Sequence, residues 1–391
     1  MPRKTFVIIF IAFLVVVAIA APATANKIKP TTIGEHVTKL IETTHPYQGS
    51  GEAAPALSWN GEIHHPGATY IAVHFAKFQL APGDYAVVRS ADGLQKWVYK
   101  DLGRHSRGLS PDGFFATHIK GDRAIIELYT KGENDSASPA YGFSIDRYGR
   151  GFNNTEIQQL WLDGKGEEMN LPYPRGWGES ICTADDTEEA KCYENTEPAA
   201  YDQARAVARL LLNGSAHCTG WLVGSEGHLM TNEHCITSQG QTDDIDFEFM
   251  AEGATCATNC GSSLACGGTV EASGGTFVTD DGALDYALVI PDTSTGTGTD
   301  LAATYGFMRL RQSGAVLNER IYIPQHPAGW GKRFAMQSSY PDDVTLGGFA
   351  YVNSLNEAAC SGGANDVGYF ADTQGGSSGS PVLGYSDNRV V

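Results

Sequence analysis

The sequence predicts an all-β chain in two parts. Three observations carry this. From Ile33 to Arg150, short runs rich in aromatic and β-branched residues (TYIAVHFAKFQL, DYAVVRS, RAIIELYT) alternate with turn chemistry (APGD, SPDG, KGENDSASP), and no helical periodicity interrupts them. The cysteines are lopsided: of 8, none precedes Cys182, and seven fall between Cys182 and Cys266 with Cys360 apart. Between the two regimes stands LPYPRGWGES, Leu171 to Ser180, whose prolines and glycines read as a linker.

The elements follow in chain order. MPRK is basic, TFVIIFIAFLVVVAIA is apolar, and Ala23-Thr24-Ala25 offers a small-residue cleavage site, so residues 1–25 read as a secretory signal peptide. The apolar run is short for a membrane span. Export to the extracellular space makes the even cysteine count a disulfide framework. Cys256, Cys260 and Cys266 lack CxxC pairs or closely spaced histidines, so no metal and no cofactor are expected. The formal charge of −18 argues against nucleic acid and anionic membranes as partners. Asn134, Asn153 and Asn213 stand in N-x-[ST] sequons and mark expected surface positions.

Residues 27–170 read as a β-sandwich, loosely resembling the CUB-like or pre-peptidase modules attached to secreted proteases. A carbohydrate or protein ligand for this part is open. His64 and His65 read as exposed loop histidines and His74 as one on a strand face, with no catalysis there. Residues 171–203 are expected to be a linker and cysteine-bearing segment, with TADDTEEAKC solvated and irregular. A second β-rich part spans 204–391. RAVARLLL at its start has periodicity that permits a helix, but a strand entry is favoured by the text that follows.

Three stretches in this second part carry chemistry when read together. CTGWLVGSEGHLMTNEHC places His234 beside Cys235, which can bridge back to Cys218 and pin the loop of a general base. DDGALDYALVI puts Asp285 at the head of an apolar run, where an orienting carboxylate belongs. GGSSGSPV sets Ser378 among glycines that permit a tight turn. A serine hydroxyl needs an imidazole to take its proton, and the imidazole needs a carboxylate to fix its tautomer. The N–H groups of Gly376 and Ser378 are the natural pair for the developing oxyanion.

In that order and context the chain resembles the trypsin-like (chymotrypsin-fold) serine endopeptidases over about Ala204 to Val391. The resemblance implies a double β-barrel after the sandwich, protein or peptide substrates and an acyl-enzyme mechanism. GSSGSP and IPQHPAGWGKRFA look most like the glutamyl and lysyl endopeptidases. That analogy implies that Cys182 bridges Cys360, and Cys192 one of Cys256, Cys260 or Cys266. Asp372, six residues before Ser378, stands where the family holds the carboxylate that attracts Lys or Arg, and Thr373 where glutamyl endopeptidases help bind a carboxylate. Ser377 replaces the aspartate that pairs with a new N-terminal ammonium in trypsin-like zymogens, so the oxyanion turn is expected to form without one. The family continues well past its nucleophile, whereas Ser378 is followed by thirteen residues (391 − 378), so a C-terminally incomplete domain lacking its last strands is expected. The competing expectation is a catalytically inactive secreted homologue that binds or inhibits.

Overall fold

The computed structural model describes residues 28–104, 113–132, 138, 140–174, 181, 184–358 and 365–391. The leader, Asn134, Cys182 and Cys360 lie outside the described residues.

The front half is two antiparallel sheets packed face to face. One runs Gly34–Glu42, Gly142–Gly151, Tyr70–Gln79 and Phe114–Phe115, with Ile119–Lys120 also on Tyr70–Gln79. The other runs Ala56–His64, Arg123–Thr130, Tyr85–Arg89 and Lys96–Lys100. Their facing residues are those the period-2 pattern selects, among them Phe75, Val88, Ile126, Leu128 and Phe143. Phe75 and Phe143 meet edge to face at 5.3 Å, an arrangement the ring quadrupoles favour. The histidines here are structural: His65 Nδ1 lies 2.9 Å from the Tyr148 hydroxyl, and His74, 1% exposed, pairs with Asp146 at 2.5 Å.

The back half is built on a longer antiparallel sheet. Its path is Thr269–Ser273, Ile245–Phe249, Val207–Leu212, Ala216–Val223, His228–Thr231, Tyr286–Pro291 and Gly275–Asp281. A second sheet joins Glu188–Glu189, Arg333–Ala335, Ile321–Gln325, Leu383–Gly384 and Arg389–Val390. The shared core includes Leu210, Trp221, Phe247, Tyr322, Phe334 and Leu383. The two sheets on one core give the all-β architecture that the sequence predicts.

RAVARLLL enters the strand Val207–Leu212, the reading the following text favours, just after a helix Pro198–Ala204. Two local results differ from expectation. The stretch read as solvated and irregular carries the strand Glu188–Glu189 and a 3-10 turn Ala190–Tyr193, with Glu189 buried. The Arg333 guanidinium donates to Glu189 at 2.9 Å and supplies the charge that lets it leave water. Thr31–Thr32, assigned by sequence to the sandwich, pairs instead with Ala216–Val223 of the back half.

The halves meet over a buried polar seam. Along Ile245–Phe249 alternate residues turn inward to the back core, and Asp246 and Glu248 turn outward. The front half covers them: Arg104 donates to Asp246 at 2.5 Å, His118 gives Asp246 both its backbone N–H and Nδ1, and Lys120 pairs with Glu248. Arg209, 1% exposed, bonds Glu248 from the back half's own side at 2.7 Å.

Candidate active site

The strand His228–Thr231 runs into a turn that delivers His234. Asp285 meets it from the head of Tyr286–Pro291, with φ of 48°, a left-handed conformation that aspartate tolerates better than most residues. Its carboxylate accepts the His234 backbone N–H at 3.0 Å and lies 2.8 Å from Nδ1. Asn232 donates to the Asp285 carbonyl at 2.7 Å and fixes that approach. Burial pushes the Asp285 carboxyl up, but the two bonds from His234 outweigh it and leave the acid below its ordinary range. With Nδ1 so engaged, the far nitrogen Nε2 is buried and has no hydrogen-bond partner among the described residues. The disulfide Cys218–Cys235 closes directly behind His234. Both sulfurs lie within 4.8 Å of a His234 ring nitrogen, yet they are spent on each other and offer no thiolate to a metal.

Ser378 sits on a turn held from one residue, Thr219. The Thr219 N–H donates to the Ser378 carbonyl at 2.8 Å and its hydroxyl to the Gly376 carbonyl at 2.9 Å. Gly379 has φ of 86°, and a Cβ there would stand 2.1 Å from the Thr219 carbonyl oxygen, so only glycine fits. The Gly375 carbonyl accepts the Ala328 N–H at 2.7 Å. The N–H groups of Gly376 and Ser378 donate to nothing among the described residues. Ser377 is 7% exposed and closes the turn on itself: its N–H donates to the Gln374 carbonyl at 2.9 Å, and its hydroxyl accepts the Gln374 N–H at 3.2 Å. Thr219, Asn232 and Ala328 were missed by sequence reasoning. Only Thr219, adjacent to Cys218, had a neighbour that could have drawn attention to it.

Asp372 is 2% exposed and accepts the Asp186 N–H at 2.7 Å. Residues Ile181, Asp185 and Thr187 pack over it with Thr373 and Gln374, around a crevice of about 10 Å³. That is room for about one water molecule, not for a substrate side chain. Two further disulfides, Cys192–Cys256 and Cys260–Cys266, tie down this part of the chain and resolve the open choice for Cys192.

A family model described as a trypsin-like peptidase domain matches residues 218–391. The secreted RxLR effector protein 73 of Plasmopara viticola is 43% identical over 334 residues, covering 83% of this chain and 74% of its own. Among solved structures, a Glu endopeptidase in complex with MPD is similar at 16% identity, covering 54% of this chain and 85% of that one with a TM-score of 0.35. Deg5 is similar at 14% identity, covering 51% and 83%, with a TM-score of 0.34. The chain therefore belongs to the family of the Plasmopara viticola secreted RxLR effector protein 73, and its residues 218–391, which match the trypsin-like peptidase domain model, have an all-β fold of trypsin-like kind.

Proposed function

We propose that this chain is a secreted serine endopeptidase in which His234, Asp285 and Ser378 form the catalytic triad. The observation that carries the reading is the oriented imidazole: Asp285 holds Nδ1 and the backbone of His234, while Nε2 has no partner among the described residues. Ser378 Oγ attacks the scissile carbonyl carbon and its proton passes to Nε2. Asp285 stabilises the imidazolium that results. The carbonyl oxygen becomes an oxyanion and accepts from the Gly376 and Ser378 N–H groups, each worth about 3–4 kcal/mol in comparable sites. His234 then returns the proton to the leaving amine as the C–N bond breaks, leaving an acyl-enzyme that water hydrolyses by the same path. The locked pairing of Ser377 with Gln374 supports a turn that forms without a new N-terminal ammonium. A chain with extra residues ahead of Cys182 should then match a trimmed one in rate, and a many-fold gain on trimming would count against this.

The finer parts of the reading have separate support. Export is supported by the disulfides, by the leader-like residues 1–25 and by the secreted relative. A division into a sandwich at 27–170 and a peptidase part is supported by the two separate cores. Ala190, Tyr193, Ala200 and Tyr201 pack in the second core, however, which moves the start of that part ahead of 204 and into the segment 171–203 read as a linker. A preference for Lys or Arg rests on Asp372, with Thr373 beside it, and requires the segment Ile181 to Thr187 to move off the crevice so that the substrate cation takes the place of the Asp186 N–H. The deciding experiment is labelling with a serine-reactive fluorophosphonate. Labelling that disappears in Ser378→Ala is the expected result, and an unlabelled native chain would leave the inactive secreted homologue as the better reading.

A further inference from the structure

The strand that holds the nucleophile turn through Thr219 carries a second burden two positions earlier. His217 pairs with Leu211 on one side and with Thr31 on the other, and Ala216 pairs with Leu212 and Thr32. The Thr31–Thr32 pairing is antiparallel, so a strand extended upstream on this track would point toward Thr219, whose N–H donates to the Ser378 carbonyl, while the chain's own Lys29 and Pro30 carbonyls are taken by Asn170. At a strand rise of about 3.3 Å per residue, Thr31 stands about 7 Å along the strand from Thr219. Thr31 is 5% exposed and lies against the nucleophile turn itself, since a Cβ on Gly375 would come within 2.6 Å of its hydroxyl.

This segment is held at both ends. Ile33 is fully buried among Tyr70, Leu211 and Leu264, and its N–H donates to the Ser215 carbonyl at 2.9 Å. Upstream, Asn170 takes the Thr32 N–H on its carbonyl at 2.9 Å and donates from its side chain to the Lys29 and Pro30 carbonyls.

An open sheet edge beside a nucleophile is where an extended peptide would add as one more strand. At Ala216 and His217 that edge is already taken. A substrate on the same track would face the same way as the chain's own segment, with the residues after its scissile bond at His217. We propose that Thr31–Thr32 is a strap that determines specificity by closing the leaving-peptide side of the site. Substrates carrying about one residue beyond the scissile bond then fit, and longer extended ones do not. The proposal rests on the reading of Ser378 as nucleophile.

The test uses one acyl peptide with three leaving parts: an aminocoumarin, a single residue and a four-residue extension. The native chain should cleave the four-residue substrate at least about tenfold less efficiently than the single-residue one, the worth of one or two strand hydrogen bonds. A chain beginning at Ile33, and separately Thr31→Pro in the full chain, which removes the N–H at that position, should narrow the gap. Adding the peptide IKPTTI to the shortened chain should reopen it. An equal long-to-short ratio in the native chain and both variants would overturn the strap. Fluorophosphonate labelling of the same proteins scores the nucleophile separately. Should none label, the anisotropy of a fluorescein-labelled octapeptide decides: binding about tenfold tighter to the shortened chain supports the strap, and equal binding removes it.

Discussion

Two aspartate–histidine pairs in this molecule have nearly the same local geometry and opposite fates. Asp285 accepts the backbone N–H and Nδ1 of His234, and Asp246 accepts the backbone N–H and Nδ1 of His118. Asp246 even has a serine, Ser273, whose hydroxyl donates to it at 2.8 Å. The same three residue types make up the proposed triad. The surroundings differ. In the seam Ser273 bonds the acid, and the Arg104 guanidinium neutralises the carboxylate in place. Around Asp285 no lysine or arginine pairs among the described residues, and His234 keeps a buried nitrogen unpartnered. A fixed cation makes the seam pair a joint, while its absence beside Asp285 fits the proposed role of that carboxylate, to stabilise an imidazolium formed during reaction.

The sharpest way to break this comparison is to exchange the chemistry of the two acids. Asp285→Asn should lower kcat by about 10⁴ through the wrong His234 tautomer, measured on a chromogenic ester, with thermal stability little changed. Asp246→Asn should leave kcat near the native value for whatever fraction stays folded. If both lose activity alike, the distinction between joint and site is wrong. Next in size is stability. Asp246→Ala leaves Arg104 and His118 buried without their partner and should cost about 3–5 kcal/mol in urea unfolding, whereas a well-packed apolar replacement of Asp246 and Arg104 together should recover much of it.

Acid should sharpen the same contrast. Burial pushes Asp246 and Glu248 up, but Arg104 and His118 on the first, and Arg209 and Lys120 on the second, hold both carboxyls below their ordinary values. Their folded values lie below the unfolded ones, so their contribution is complete above about pH 4 and is lost as pH falls through the folded values. Urea midpoints measured down an acid series should drop steeply for the native chain and more shallowly for Asp246→Asn. The smallest effect expected is at the exposed pair of Arg123 and Glu62: Glu62→Gln should move stability by no more than about 0.5 kcal/mol.

Much of the architecture was legible because it is local. Alternating runs mark the sandwich strands, and the contexts of His234 and Asp285 mark a histidine and an acid that the fold brings together. What escaped is pairing between distant parts of the chain. In IDFEF, Ile245 to Phe249, nothing local assigns the acidic residues to the interior, and only the approach of Arg104, His118 and Lys120 buries them. Thr31–Thr32 is too short to show a period, so nothing local assigns it to Ala216–Val223. Asp372 was read from its distance to Ser378, which carries no information about Asp186 closing over it.

The seam also bears on ancestry. A peptidase unit whose wall presents two ionised acids to its neighbour is not a free module. Grafted onto a different front piece, it would carry Asp246 without its guanidinium and Glu248 with half its counter-charge. Recombination between lineages would then be tolerated only where the incoming module supplied cations at matching places, or where those acids had first been lost. The front and back parts should therefore share one evolutionary tree, with substitutions at 104, 118 and 120 tracking those at 246 and 248.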